Sequence, residues 1–168
     1  MTITSEQYRD ALRLFPAGVT IVTIKAPGYV QPHGLTVSAF TSISPEPPLV
    51  MVAIDHRAQG CTLLDVEGAT FAVNILPQGK MELSNRFAWV KDDDRFAEGD
   101  WGTAVTGAPI LLDALAWLDC TIYARHDAGT HTIYLGLVQA GATPRAGEAP
   151  LIYWNRGYRR LALETPGD

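Results

Sequence analysis

Cysteine is scarce in this chain: Cys61 and Cys120 are the only two among 168 residues, and no CxxC spacing occurs. With 47% apolar residues the chain can build its own core, so a disulfide framework is excluded and no zinc or redox motif is indicated. Both cysteines read as buried apolar fillers. Positive charge is also in short supply, with 13 Lys and Arg against 18 Asp and Glu and a net charge of −5. The basic residues are scattered, which leaves no electrostatic footprint for nucleic acid or an anionic membrane surface. No segment reaches about 18 unbroken apolar residues. The opening Met1-Thr2-Ile3-Thr4-Ser5-Glu6 has no basic stretch leading into an apolar one, so a soluble, cytoplasmic protein is expected. The four histidines (His33, His56, His126, His131) lack helical i,i+4 pairing or cysteine partners, so no metal site is expected.

Signature motifs are missing as well. There is no GxGxxG, no GxxxxGK[ST], no GxSxG and no HExxH. Carboxylates crowd residues 91–100, a run that reads as solvated charge rather than a general acid/base pair. Nothing in the sequence sets a histidine beside either cysteine. An enzyme of this composition borrows its reactive atoms from a cofactor.

What is present is β structure with a few helices. Tyr8, Leu12 and Phe15 have helical spacing over residues 5–15, with Thr4 and Gln7 forming a capping-box pattern. Residues 17–24 are dense in β-branched side chains and read as a buried strand. Leu49–Asp55, apolar at nearly every position, predicts a central strand covered on both faces. A helix is expected over 56–66, a strand over 70–76, a second interior helix over 78–88 and mostly loop over 91–108. Strands over 115–123, 132–139 and 151–154 complete six or seven, joined mostly by short turns. That pattern favours an antiparallel barrel in one domain spanning 1–168.

The stretch Gly34–Ser44 stands out. Read with a period of two, Leu35, Val37, Ala39 and Ile43 are apolar while Thr36, Ser38, Ser42 and Ser44 carry hydroxyls. This predicts one strand with an apolar back and a row of hydrogen-bonding groups about 6.6 Å apart on its front. Periodicity alone leaves open whether that front meets water or a ligand.

Several of these segments, taken in order, are similar to the short-chain flavin reductases that serve two-component flavin monooxygenases. They are Phe15-Pro16-Ala17-Gly18-Val19-Thr20, Gly34–Ser44 with Pro47-Pro48-Leu49-Val50, Phe71–Leu76, Leu83-Ser84-Asn85-Arg86-Phe87-Ala88, Arg95-Phe96, Gly107-Ala108-Pro109, Gly129-Thr130-His131-Thr132 and Pro150-Leu151-Ile152-Tyr153. The resemblance implies a mainly β split-barrel homodimer that binds FMN or FAD and reduces it with NADH or NADPH. The product would pass to a separate monooxygenase. By the same resemblance Thr36, Val37, Ser38, Ala39, Ser42 and Ile43 are expected at the flavin ring. Arg57, Ala58 and Thr62 are expected at its phosphate or ribityl chain, and Arg86, Phe87 and Tyr158 around the pocket. His131 is expected beside the nicotinamide, with Thr130 standing where that family more often has Asp. Two alternatives remain: a retained flavin that reduces another acceptor such as a corrinoid, and a non-catalytic flavin-binding module.

Overall fold

The computed structural model describes residues 3–90 and 93–162, without the side chains of 93 and 94. Helix α1 (Ser5–Leu12) starts as expected: Thr4 Oγ1 accepts from the Gln7 N–H and Gln7 Oε1 accepts from the Thr4 N–H. Those two bonds satisfy donors a helix start otherwise leaves orphaned. None of its residues is buried, so its apolar stripe of Tyr8 and Leu12, continued by Phe15, is left largely uncovered by its own chain.

Seven strands form the main sheet. They are β2 (Thr20–Lys25), β3 (His33–Val37), β4 (Phe40–Pro45), β5 (Pro48–Asp55), β6 (Thr70–Ile75), β9 (Ala116–Ala128) and β10 (His131–Ala142), in the order β3-β2-β6-β9-β10-β5-β4. Every ladder is antiparallel, as the short turns imply. The smaller strands are β1 (Ala17–Gly18), β7 (Trp101–Thr103), β8 (Pro109–Leu111), β11 (Ile152–Trp154) and β12 (Gly157–Arg159). β1 pairs with the β11–β12 hairpin, and β7 pairs with β8.

The Gly34–Ser44 stretch departs most from expectation. It is two strands at opposite edges of the sheet, joined by Ser38 and Ala39. Val37 pairs with Thr20 of β2, whereas Phe40 pairs with Val52 of β5. Since Val37 and Phe40 are three residues apart, the two edges lie within about 11 Å there, and the sheet must curl to bring them together. A bulge between Ser42 and Ser44 leaves Ile43 without a ladder partner, so the period of two fails and Ile43 is half exposed. β5 is not central but next to the edge. Val50, Val52 and Ile54 face the core while Leu49, Met51 and Ala53 stay partly exposed.

β2 is buried on both faces, as is its neighbour β6. Val22 and Ile24 join Val52, Ile54, Leu64, Phe71 and Tyr134 in one core. Ile21 joins Leu76, Leu83, Phe87 and Leu151 in another. Helix α2 is only Gln59–Leu64, because the extended Ala58 backbone (ψ 135°) starts it late. Helix α3 (Met81–Trp89) turns Leu83, Ser84 and Phe87 inward. The segment 91–108, expected to be mostly loop, holds a 3₁₀ turn (Asp93–Ala97) and β7. It is ordered by aromatic packing: Phe96 and Trp101 stack against Phe87 with ring centroids 5.1 and 5.4 Å away. Among the described residues no helix is long and apolar enough to cross a membrane.

Candidate functional site

The crossing at Ser38–Ala39 organises the concave surface. The Ala39 carbonyl accepts from the Ala53 N–H of β5 at 3.0 Å, but neither the Ser38 nor the Ala39 N–H has a hydrogen-bond partner among the described residues. Ser38 borders two cavities. The first, about 340 Å³, is walled by Thr36 and Ser38, by Asn85, Ala88 and Trp89 of α3, and by Tyr153, Arg156, Gly157 and Tyr158 of the hairpin. The second, about 500 Å³, runs under α1 past Tyr8, Leu12 and Phe15 to Ala39, Phe40 and Met51. Ser38, Tyr153 and Arg156 line both.

Hydrogen bonds fix the walls of the first cavity. Thr36 Oγ1 donates to the Ser84 carbonyl at 2.6 Å, joining strand to helix. The Tyr158 hydroxyl donates to Asn85 Oδ1 at 2.9 Å and accepts from Ser84 Oγ at 2.9 Å, joining hairpin to helix. The hairpin turns at Asn155 and Arg156, with φ of 46° and 63°. A two-residue turn of this hand needs positive φ at both positions, unusual for arginine. The tip is tied to α1 by Asn155 N–H to the Arg13 carbonyl at 2.8 Å and by Arg156 to Asp10 at 3.5 Å.

A second cluster forms where β5 meets β10. Asp55 stands opposite His131 in the ladder and holds Arg57 in a fork, Oδ1 to Nε at 3.0 Å and Oδ2 to Nη2 at 2.7 Å. The Arg57 side chain, followed by its backbone N–H, keeps the Asp55 carboxyl well below the usual carboxylate range. His131 Nδ1 lies 2.9 Å from Thr130 Oγ1. Thr130 in turn borders an open cavity of about 560 Å³ at the N-terminal end of α1. The His131 corner and the hairpin tip therefore lie at opposite ends of this eight-residue helix, about 12 Å long.

The residues nominated from sequence separate accordingly. Thr36, Ser38 and Tyr158 converge on the first cavity, and Ala39 borders the second. Val37 is 6% exposed and its side chain joins the core, so only its backbone is near the crossing. Ser42 and Ile43 lie further along β4 on the exposed edge. Arg57, Ala58, Thr62 and His131 belong to the corner, outside both cavities.

Two nominations need correction. Phe87 is 1% exposed and packs beneath β3, because it shares the inward face of the amphipathic helix with Leu83 and Ser84. Arg86 points to the 95–98 loop, donating from Nε to the Arg95 carbonyl at 3.2 Å and from Nη1 to Glu98 at 3.0 Å. Sequence reasoning missed Asn85, Trp89, Tyr153 and Arg156. One signal was available: Asn85, Ala88 and Trp89 share a helical face at i, i+3 and i+4, and a tryptophan on an exposed face is uncommon.

An isoalloxazine ring presents carbonyl and nitrogen acceptors on its rim and an apolar face. Two unpartnered backbone donors beside a half-apolar cavity fit those requirements. Comparison with known proteins points the same way. The chain is 38% identical over 165 residues to a flavin reductase (NADH) of Kitasatospora aureofaciens, covering 96% of this chain and 84% of that protein. It is 40% identical over 153 residues to the actinorhodin polyketide dimerase of Streptomyces coelicolor, covering 91% and 84%. The solved NADH:FAD oxidoreductase SgcE6 of Streptomyces globisporus, in complex with NAD and FAD fragments, superposes with a TM-score of 0.87 at 31% identity, covering 100% of this chain and 99% of that one. The family model described as the flavin reductase like domain matches residues 12–162, and the chain belongs to that family.

Proposed function

We propose that this protein is an NAD(P)H:flavin oxidoreductase that reduces FMN or FAD and supplies it to a separate oxygenase component. The observation that carries the reading is the Ser38–Ala39 crossing, whose free N–H groups lie at the junction of two cavities. Ser38 and Ala39 receive the flavin rim there through their backbone donors. Thr36 contributes only its oxygen lone pairs, since its proton goes to Ser84. Tyr158 and Asn85 form the facing wall. The bound flavin supplies the hydride-accepting centre, and hydride transfer needs stacking and proximity rather than a protein acid or base. Arg57, whose Nη1 is left outward by the Asp55 fork, serves the phosphate with Ala58 and Thr62 beside it. His131, oriented by Thr130, serves the nicotinamide end.

The same reading makes the curled sheet a split barrel and the protein a homodimer acting as a single domain. Support comes from the uncovered stripe of Tyr8, Leu12 and Phe15 beside Met51 and Phe40, a contiguous apolar surface of the kind that marks an interface. Sedimentation should give twice the chain mass. The activity is tested by mixing the protein with NADH or NADPH and each free flavin; no nicotinamide oxidation with any pair would end the proposal. A second reading keeps the flavin bound and passes its electrons to another acceptor. Flavin that stays with the protein through gel filtration would favour that version.

A further inference from the structure

The two walls of the first cavity belong to different elements, β3 and α3, and something must set the gap between them. Thr36 makes one link. A second lies behind the cavity, in the 95–101 segment. Arg95 donates from Nη1 to the Gly34 carbonyl on β3 at 2.7 Å, and from Nε to the Val90 carbonyl at the C-terminal end of α3. A planar guanidinium holds its donors in a fixed fork, so one side chain measures off strand against helix. Arg95 is itself held from the helix, because Arg86 Nε donates to its carbonyl. Gly34 makes the close approach possible: an added Cβ would lie 2.5 Å from Phe87 Cε1 and 3.3 Å from Phe96 Cζ.

We infer that Arg95 is a positioning residue for the flavin reaction, fixing the last turn of α3, with Asn85, Ala88 and Trp89, at the separation from Thr36 and Ser38 that admits the flavin ring. Arg86 acts through it rather than on the cofactor. The inference rests on the flavin reading proposed above. Arg95 touches neither cavity, so its effect reaches the ligand only through the two walls. The half-buried guanidinium bonds two backbone carbonyls on different elements, and the geometry of that fork is its contribution.

Flavin affinity of the full chain, measured by quenching of flavin fluorescence, and steady-state kinetics with NADH test this directly. Arg95→Ala is expected to weaken flavin binding and raise the flavin KM by about tenfold, in line with the cost of misplacing a binding wall. At saturating flavin, kcat falls far less. Added guanidinium at non-denaturing concentration restores affinity to Arg95→Ala. Arg95→Lys stays weak, because a single ammonium cannot span both carbonyls. Full affinity in Arg95→Lys, or wild-type affinity in Arg95→Ala, would overturn the inference. Hydrogen exchange provides a readout independent of activity: amides of residues 34–38 and 86–90 exchange faster in Arg95→Ala, and unchanged protection there also overturns it. If the wild type binds and reduces no flavin, the flavin reading fails by itself, while the exchange experiment still reports on the wall-setting role.

Discussion

The cleft around Ser38 and the corner around Asp55 were both nominated for the cofactor, yet they are built differently. In the cleft, three elements converge and are tied by side-chain hydrogen bonds, Thr36 to the Ser84 carbonyl and Tyr158 to the Ser84 and Asn85 side chains, while Arg95 behind it bonds the Gly34 and Val90 carbonyls. What remains for a ligand is unpartnered backbone and concave surface. At the corner the charged groups are open to solvent and bond among themselves. The Arg57 side chain is 90% exposed and forked on Asp55, and His56 lies 3.9 Å from Asp127. Residue type marks where charge is, but only partners and curvature show how much of it is free to bind.

Substitutions in the cleft should therefore cost most. Gly34→Val forces a branched side chain into Phe87 and Phe96 and is expected to destabilise by about 3 kcal/mol through overpacking. Urea unfolding measures this, and a near-neutral result would mean that the aromatic layer behind β3 yields easily. Tyr158→Phe removes two hydrogen bonds at the helix–hairpin wall, for a loss of about 1–2 kcal/mol. It should also raise the flavin KM more than it lowers kcat; equal kinetics would detach the hairpin from the site.

The corner is anchored from beneath by a buried phenol. Tyr134 donates to the Cys61 carbonyl and Asp65 Oδ1, at 3.1 and 3.0 Å, which ties α2 to β10. Burial, then Cys61 and Asp65, pushes its ionisation well above the usual tyrosine range. Burial, with the Asp119 charge, pushes the Cys120 thiol up from 9.0 to about 12. Both groups stay protonated in the fold and lose protons more easily when unfolded. Their contribution to stability is thus complete below pH 9 and is lost as pH rises toward about 12. Thermal melts should fall steadily across that window, and Cys120→Ala should flatten the fall. The smallest effect is expected at Arg57→Gln, because exposed ion pairs contribute little. Since Asp55 is depressed by Arg57, any stability difference from wild type is present at neutral pH and vanishes as pH drops through the acid range. A large change in melting temperature at pH 7 would show that the corner carries more of the fold than its exposure implies.

Much of the fold was legible because it follows local rules. The capping box at Thr4, the buried β2 and the inward face of α3 each follow from a short window of sequence. The departures have different causes. Gly34–Ser44 alternates well enough to read as one strand, but β3 pairs with residues 9 to 17 positions upstream and β4 with residues 3 to 12 positions downstream. No local pattern encodes that change of partner. β5 read as central because its apolar run is unbroken, whereas its outward residues adjoin the uncovered surface beside α1. Phe87 and Arg86 were assigned to a pocket by family resemblance, and helix phase turned one inward and the other toward a loop.

The sequence by itself determined the class of the protein. Strand periodicity, short turns and helix caps pointed to an antiparallel β fold, since each depends only on neighbours in the chain, and the ordered family motifs pointed to flavin chemistry. Tertiary structure alone decided where the candidate cleft is. It broke the hydroxyl-bearing stretch at Ser38–Ala39, released two N–H groups from any ladder, and brought α3 and the hairpin against them. Those contacts join residues more than 40 positions apart, and only the closed chain brings them within hydrogen-bond reach.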